Sequence, residues 1–164
     1  MFGVEEFGMG TRRVLAIIAL LSLGVGACSS TGATASPASP SAAAGTAVQV
    51  TLKEWAVAAD VATAPAGPVT FTAKNEGPED VHEFVVIKTD LSLIDLPTDA
   101  TGAVDEAGGG MTVSGEIEDI AIGSSGTLTL TLEPGAYVLI CNIYSEEEKE
   151  SHYQKGMRAS FTVQ

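Results

Sequence analysis

Apolar and polar residues alternate in short runs through residues 48–163, and the runs are separated by glycine- and proline-rich breaks. Val48, Val50 and Leu52 alternate with Gln49, Thr51 and Lys53, so residues 48–54 read as a strand with one buried face. Residues 62–67 carry the proline and glycine of a turn. Val69, Phe71 and Ala73 then repeat the period-two pattern, and Asn75-Glu76-Gly77-Pro78 is a strong turn signal. Residues 81–87 place Val81, Val85 and Ile87 on one face and His82, Phe84 and Val86 on the other, which predicts an interior strand covered on both sides.

Residues 90–110 are the least regular part of the chain. Leu91, Leu93, Ile94 and Leu96 suggest a short strand or a helical turn, and the Gly- and Asp-rich residues 99–110 suggest a surface loop. Residues 117–122 form a candidate short strand, and Gly123-Ser124-Ser125-Gly126 a turn. Residues 127–132 show the cleanest alternation, with leucines 128, 130 and 132 inward and threonines outward. Pro134-Gly135 turns the chain into an apolar strand over 137–141, and Ala159, Phe161 and Val163 alternate in the last one. About seven or eight short strands with no long helical pattern predict an all-β fold, a Greek-key sandwich or barrel.

The N-terminal residues follow a different pattern. Arg12 and Arg13 precede an apolar run over residues 14–25 that ends in Val25-Gly26-Ala27-Cys28. A basic segment, an apolar core and small residues before a cysteine resemble a bacterial lipoprotein signal over residues 1–27, with Cys28 as the lipidated first residue of the mature protein. Met9 is an alternative start. An uncleaved membrane anchor and a fully released protein are the competing readings; as a span of roughly 20 residues the run is short, and Ser22, Gly24 and Gly26 dilute it. After Cys28, residues 29–46 are Ser, Thr, Ala, Gly and Pro with no charge, so residues 28–46 have the composition of a flexible tether. Residues 47–164 remain as a single domain, held by lipid at the outer face of the cytoplasmic membrane.

Charge narrows the partners. Eight Lys and Arg against 21 Asp and Glu give a net charge of −13, which argues against a nucleic-acid surface. If Cys28 carries lipid, Cys141 cannot pair with it, and a lone thiol in an oxidising compartment points to burial or a metal.

Cys141 stands at the end of an apolar strand, followed by His152 and Met157; the other histidine of the chain, His82, opens the 81–87 strand. Taken singly, these are a small core hydrophobe, a solvated histidine and core filling. Together they supply one thiolate, two imidazoles and a thioether, the donor set of a copper centre with a weak axial ligand, whereas iron–sulfur and structural zinc sites want more thiolates. With only two histidines, Ser–His–Asp hydrolysis and multicopper oxidase chemistry have no support, and no enzyme activity is expected.

The order of these residues, with Val69-Thr70-Phe71-Thr72-Ala73-Lys74-Asn75-Glu76-Gly77, His82-Glu83-Phe84 and Gly135-Ala136-Tyr137 leading into Cys141-Asn142-Ile143, resembles the cupredoxin family of type 1 (blue) copper proteins over residues 48–164. The resemblance implies one copper per chain, held by His82, Cys141, His152 and axial Met157, and a one-electron carrier. A copper store or delivery protein and a metal-free envelope module are the alternatives. Ten residues separate Cys141 from His152, a longer stretch than is common in the family, and the excess is acidic. Such an insertion can bulge into solvent at small entropic cost. Glu146 to Glu150 are either a solvated loop or a docking patch for a basic redox partner. Asn142 is expected to brace the cysteine loop by hydrogen bonding, Tyr153 to be a surface anchor rather than a ring shielding the metal, and Gly156 to permit a tight turn. The domain is expected to be a monomer.

Overall fold

A computed structural model describes residues 45–164 of the chain; the expected leader, Cys28 and nearly all of the tether lie outside the described residues. Eight strands of four or more residues build two mixed sheets: β1 (Thr46–Lys53), β2 (Ala56–Ala59), β4 (Gly67–Asn75), β5 (His82–Thr89), β6 (Met111–Ile120), β7 (Ser125–Leu132), β8 (Gly135–Ile140) and β11 (Arg158–Val163). Three two-residue segments, β3 (Thr63–Ala64), β9 (Tyr144–Ser145) and β10 (Glu150–Ser151), and one four-residue helix, α1 (His152–Lys155), complete the described elements. One sheet runs β2-β1-β4-β7, the other β3-β11-β8-β5-β6, and β9 and β10 pair as a separate ribbon.

The alternation read from the sequence explains which faces meet. Val48, Val50 and Leu52 of β1 and Val69, Phe71 and Ala73 of β4 pack against Phe84 and Val86 of β5, Tyr137 and Leu139 of β8, and Phe161 and Val163 of β11. Phe71 sits between two aromatic neighbours, with ring centroids 5.4 Å from Phe84 and 5.5 Å from Phe161. Burying each of these large side chains is worth about 1.5–3 kcal/mol, so this inter-sheet layer is the main source of stability. Leu128 and Leu130 of β7 lean on it from the sheet edge and are only half-buried. On the outward face of the same strands, Thr70 and Thr129 share a hydroxyl contact of 2.9 Å between β4 and β7.

A second apolar cluster lies on the other face of the five-stranded sheet, where Val85, Ile87, Val138 and Ile140 meet Leu96, Val104 and Tyr153. Both faces of β5 are therefore covered, as its sequence predicts, and β5 lies between β8 and β6. Several expectations are corrected here. Val81 precedes the strand and is 43% exposed rather than inward. Of the two forms expected for residues 91–96, the strand is absent and a single turn is present, the Asp95 N–H donating to the Ser92 carbonyl at 2.9 Å; residues 99–110 are not a wholly superficial loop. The 90–110 segment is a covering strap with one internal bridge, between Thr98 and Val104, and with Leu96, Ala103 and Val104 buried. The short strand expected over 117–122 is the C-terminal half of β6, which pairs with β5 through two register shifts; Ile122 lies beyond it and is exposed. Residues 62–67 contain β3, which adds to β11 in parallel, as well as the expected turn.

Candidate metal centre

The pairing of β5, β8 and β11 decides where the chemistry sits. Val85 lies opposite Ile140 on β8, and Arg158 of β11 lies opposite Ile140 on its other side. The start of β5, the end of β8 and the start of β11 thus share one end of the sheet. Cys141 follows directly after β8, its N–H donating to the Met157 carbonyl at 3.0 Å. The Glu83 N–H of β5 donates to Cys141 Sγ at 3.3 Å. His82 is the first residue of β5, and Asn75 fixes the turn before it. The buried Asn75 amide donates to the Asp80 and Ile120 carbonyls at 2.7 and 2.9 Å and accepts from the Gly77 N–H at 2.9 Å.

His152 arrives by a detour. After Ile143 the chain makes the β9–β10 ribbon, with Glu146, Glu147, Glu148 and Lys149 exposed at its tip, and returns when the His152 N–H donates to the Ile143 carbonyl at 2.9 Å. The acidic insertion is a hairpin in solvent, as its composition suggests. Ser151 then caps α1, its hydroxyl accepting from the Gln154 N–H at 3.3 Å while donating to the Gly102 carbonyl at 2.8 Å. Gly156 closes the helix with φ 118°, a left-handed conformation that strains any residue with a side chain. The Met157 N–H donates back to the His152 carbonyl at 3.0 Å.

These backbone constraints bring three donor atoms together. Cys141 Sγ lies 3.4 Å from His152 Nδ1 and 3.9 Å from His82 Nδ1, and the two Nδ1 atoms are 3.3 Å apart. A first-row ion bound at about 2.0 Å to nitrogen and about 2.3 Å to sulfur in a trigonal plane separates its donors by about 3.5 Å (N–N) and about 3.7 Å (N–S). The observed triangle is of that size, so the three atoms could hold one ion with little movement. Met157 is fully buried in the core cluster that contains Cys141, and its backbone is tied to both Cys141 and His152. One thiolate, two imidazoles and a thioether in an enclosed site suit copper better than zinc or an iron–sulfur cluster.

In the metal-free cluster, burial keeps all three donors uncharged. Burial pushes the Cys141 thiol up to about 11, against the opposing pull of the Glu83 and Ile143 N–H groups. Burial also lowers both imidazoles, with Glu54 the main opposing charge at His82 and Asp80 at His152, so both rings are neutral and able to ligate. Each Nε2 faces a carboxylate: His82 Nε2 is 3.5 Å from Glu54 Oε1, and His152 Nε2 is 4.0 Å from Asp80 Oδ2. Neither contact has hydrogen-bond geometry.

Several neighbours carry no sequence signal of their own. Glu54 and Asp80 stand within turns and read simply as surface acids. Trp55 packs edge-on against the His152 ring with centroids 5.1 Å apart, and Lys155 lies over the indole at 4.9 Å; His152 is consequently only 1% exposed. The expectation for Tyr153 is wrong. It is fully buried, its hydroxyl donating to the Leu93 carbonyl at 2.9 Å and accepting from the Leu96 N–H at 3.3 Å, so it anchors the strap instead of the surface. Asn142 does brace the cysteine loop. Its side chain accepts from the Val104 N–H at 2.6 Å and donates to the Val104 carbonyl and Glu106, each at 3.0 Å.

No protein-family model and no curated protein matches the chain. Solved structures do. Dithionite-reduced auracyanin from the photosynthetic bacterium Roseiflexus castenholzii is 24% identical over 74% of this chain and 98% of that one, with a TM-score of 0.52. Auracyanin B is 20% identical over 73% and 88%, with a TM-score of 0.51. Reduced rusticyanin is 17% identical over 74% and 81%, with a TM-score of 0.50. The two mixed sheets, their shared end and these likenesses establish that the chain has the cupredoxin fold, and its His82–Cys141–His152–Met157 set fits a type 1 copper centre.

Proposed function

We propose that this protein is a one-electron carrier that binds one copper ion through His82 Nδ1, His152 Nδ1 and Cys141 Sγ, with the Met157 thioether as the weak axial ligand. The observation that carries the reading is the triangle of donor atoms, 3.3 to 3.9 Å on a side, closed off from water at the end of a packed sheet. Copper, when bound, supplies the Cu(II)/Cu(I) couple. The chain supplies everything else. Cys141 would give up its proton on loading, and the two neutral imidazoles and the thioether would complete a cage whose parts sit at the ends of β5, β8 and β11 and on α1. Such a cage resists rearrangement between oxidation states, which favours fast exchange. Trp55 shields His152 from water, and the strap braces Asn142.

The sequence of residues 1–46 fits the same role: export, a lipid on Cys28 and a tether would hold the carrier at the outer face of the cytoplasmic membrane, and the acidic hairpin would meet a basic redox protein.

The test is the absorption spectrum of the full chain loaded with Cu(II), beside a Cys141→Ser variant. An intense visible sulfur-to-copper band, lost in the variant, is the expected result. Copper bound without that band favours a store or delivery protein, and failure to bind copper leaves a metal-free sandwich.

A further inference from the structure

Glu54 lies at the end of β1 and is far from His82 in sequence, yet its carboxylate is built into the metal centre. Only 11% of the side chain is exposed. Oε1 accepts from the Asp80 N–H at 2.9 Å and from the Glu79 N–H at 3.4 Å, and stands 3.5 Å from His82 Nε2. Oε2 is buried with no partner, as are both imidazole Nε2 atoms, and these three are the buried unpartnered side-chain atoms among the described residues. The turn over it is shaped to admit it: a Cβ on Gly77 would overlap both carboxylate oxygens. Burial opposes the charge on Glu54, but the backbone N–H groups and His82 outweigh it and hold its carboxyl below the ordinary value.

A buried carboxylate so placed has two consequences for a bound ion. It is the nearest acceptor for an Nε2–H on His82, so it favours the tautomer that leaves the Nδ1 lone pair pointing at Cys141 and His152. It also sets a fixed negative charge one imidazole away from the ion, where little water screens it.

We propose that Glu54 is a positioning residue of the centre, which orients His82 for metal binding and stabilises the oxidised ion more than the reduced one. The second half rests on the copper reading given above. Asp80, at 4.0 Å from His152 Nε2 and more exposed, plays a weaker version of the same part.

Glu54→Gln keeps an oxygen for the Asp80 and Glu79 N–H groups and removes the charge. In the full chain, its Cu(II) affinity should fall about 10-fold, within the range typical of groups that support metal ligands, while its Cu(I) affinity changes less than about twofold. For a one-electron couple that difference raises the reduction potential by about 59 mV. Glu54→Asp, which retains the charge, should move the potential less than Glu54→Gln does. Equal losses for both oxidation states, or no change in either, would overturn the electrostatic role and leave Glu54 as a brace for the turn.

The tautomer is read without any variant, by long-range proton–nitrogen correlation on the metal-free, nitrogen-15-labelled chain. A proton on His82 Nε2 is the expected outcome, and a proton on Nδ1 overturns the orienting role. If the chain binds no copper, the carrier reading falls, while this measurement still decides whether Glu54 sets the ring.

Discussion

Replacing Glu83 by glutamine should make the metal-free protein more stable at pH 8 and leave it almost unchanged at pH 4.5. Glu83 follows His82 on β5, and its carboxylate converges with those of Glu106 and Glu116, their oxygens lying within 4.8 Å of one another. Burial first, and then repulsion from Glu106, Glu116, Glu118 and Asp119, raise its pKa from 4.5 to about 7. The folded state therefore holds the proton more tightly than the unfolded chain does. Below about pH 4.5 the group is protonated in both states and costs nothing. As the pH climbs through the folded value of about 7 the charge must be accommodated in the fold, and stability is lost across that interval. The gap corresponds to about 3 kcal/mol, reduced to about 2 kcal/mol because the side chain is partly open to solvent. The assay is urea denaturation of both metal-free proteins from pH 4.5 to 8, read as their difference so that all other titrations cancel. A difference that stays flat across the interval, or grows toward low pH, would refute the reasoning.

Tyr153→Phe removes one donor and one acceptor from the strap and should cost about 1–3 kcal/mol, with amide exchange quickening first over residues 93–104. Phe71→Ala, which empties the middle of the inter-sheet layer, should cost about 3–5 kcal/mol by denaturant unfolding. Neutralising Glu146, Glu147 and Glu148 to glutamine should shift stability by no more than about 0.5 kcal/mol, because the side chains stand in water. It should flatten the salt dependence of electron exchange with cationic redox reagents, measured by stopped flow. Copper at about 1,000 times its dissociation constant should stabilise the fold by about 4 kcal/mol, seen as a rise in the thermal midpoint that a chelator reverses.

The inter-sheet layer was legible because β1, β4 and β11 each bury one clean face, and period-two alternation reports that directly. Both-sided burial of β5 was legible because both of its faces are apolar. The strap was not, since Leu91 to Leu96 and Ala103 to Val104 follow no period and find their place only once Tyr153 offers a buried hydroxyl. Tyr153 itself was misread because an acidic neighbourhood in sequence says nothing about the face a one-turn helix presents. The metal cluster was legible from donor chemistry and order, and the strand registers explain why it closes. Glu54 and Asp80 were beyond reach, because their meaning depends on which way two imidazole rings point.

The hydrogen bond from His152 back to Ile143 has one more implication. It clasps the base of the hairpin, so the exposed tip, residues 146–149, forms a side branch outside the contacts that hold the two ligands it separates. The branch can be lengthened, shortened or recharged while the cage keeps its dimensions. A lineage could thereby vary the charge it presents to its surroundings and leave the three donor atoms where they are.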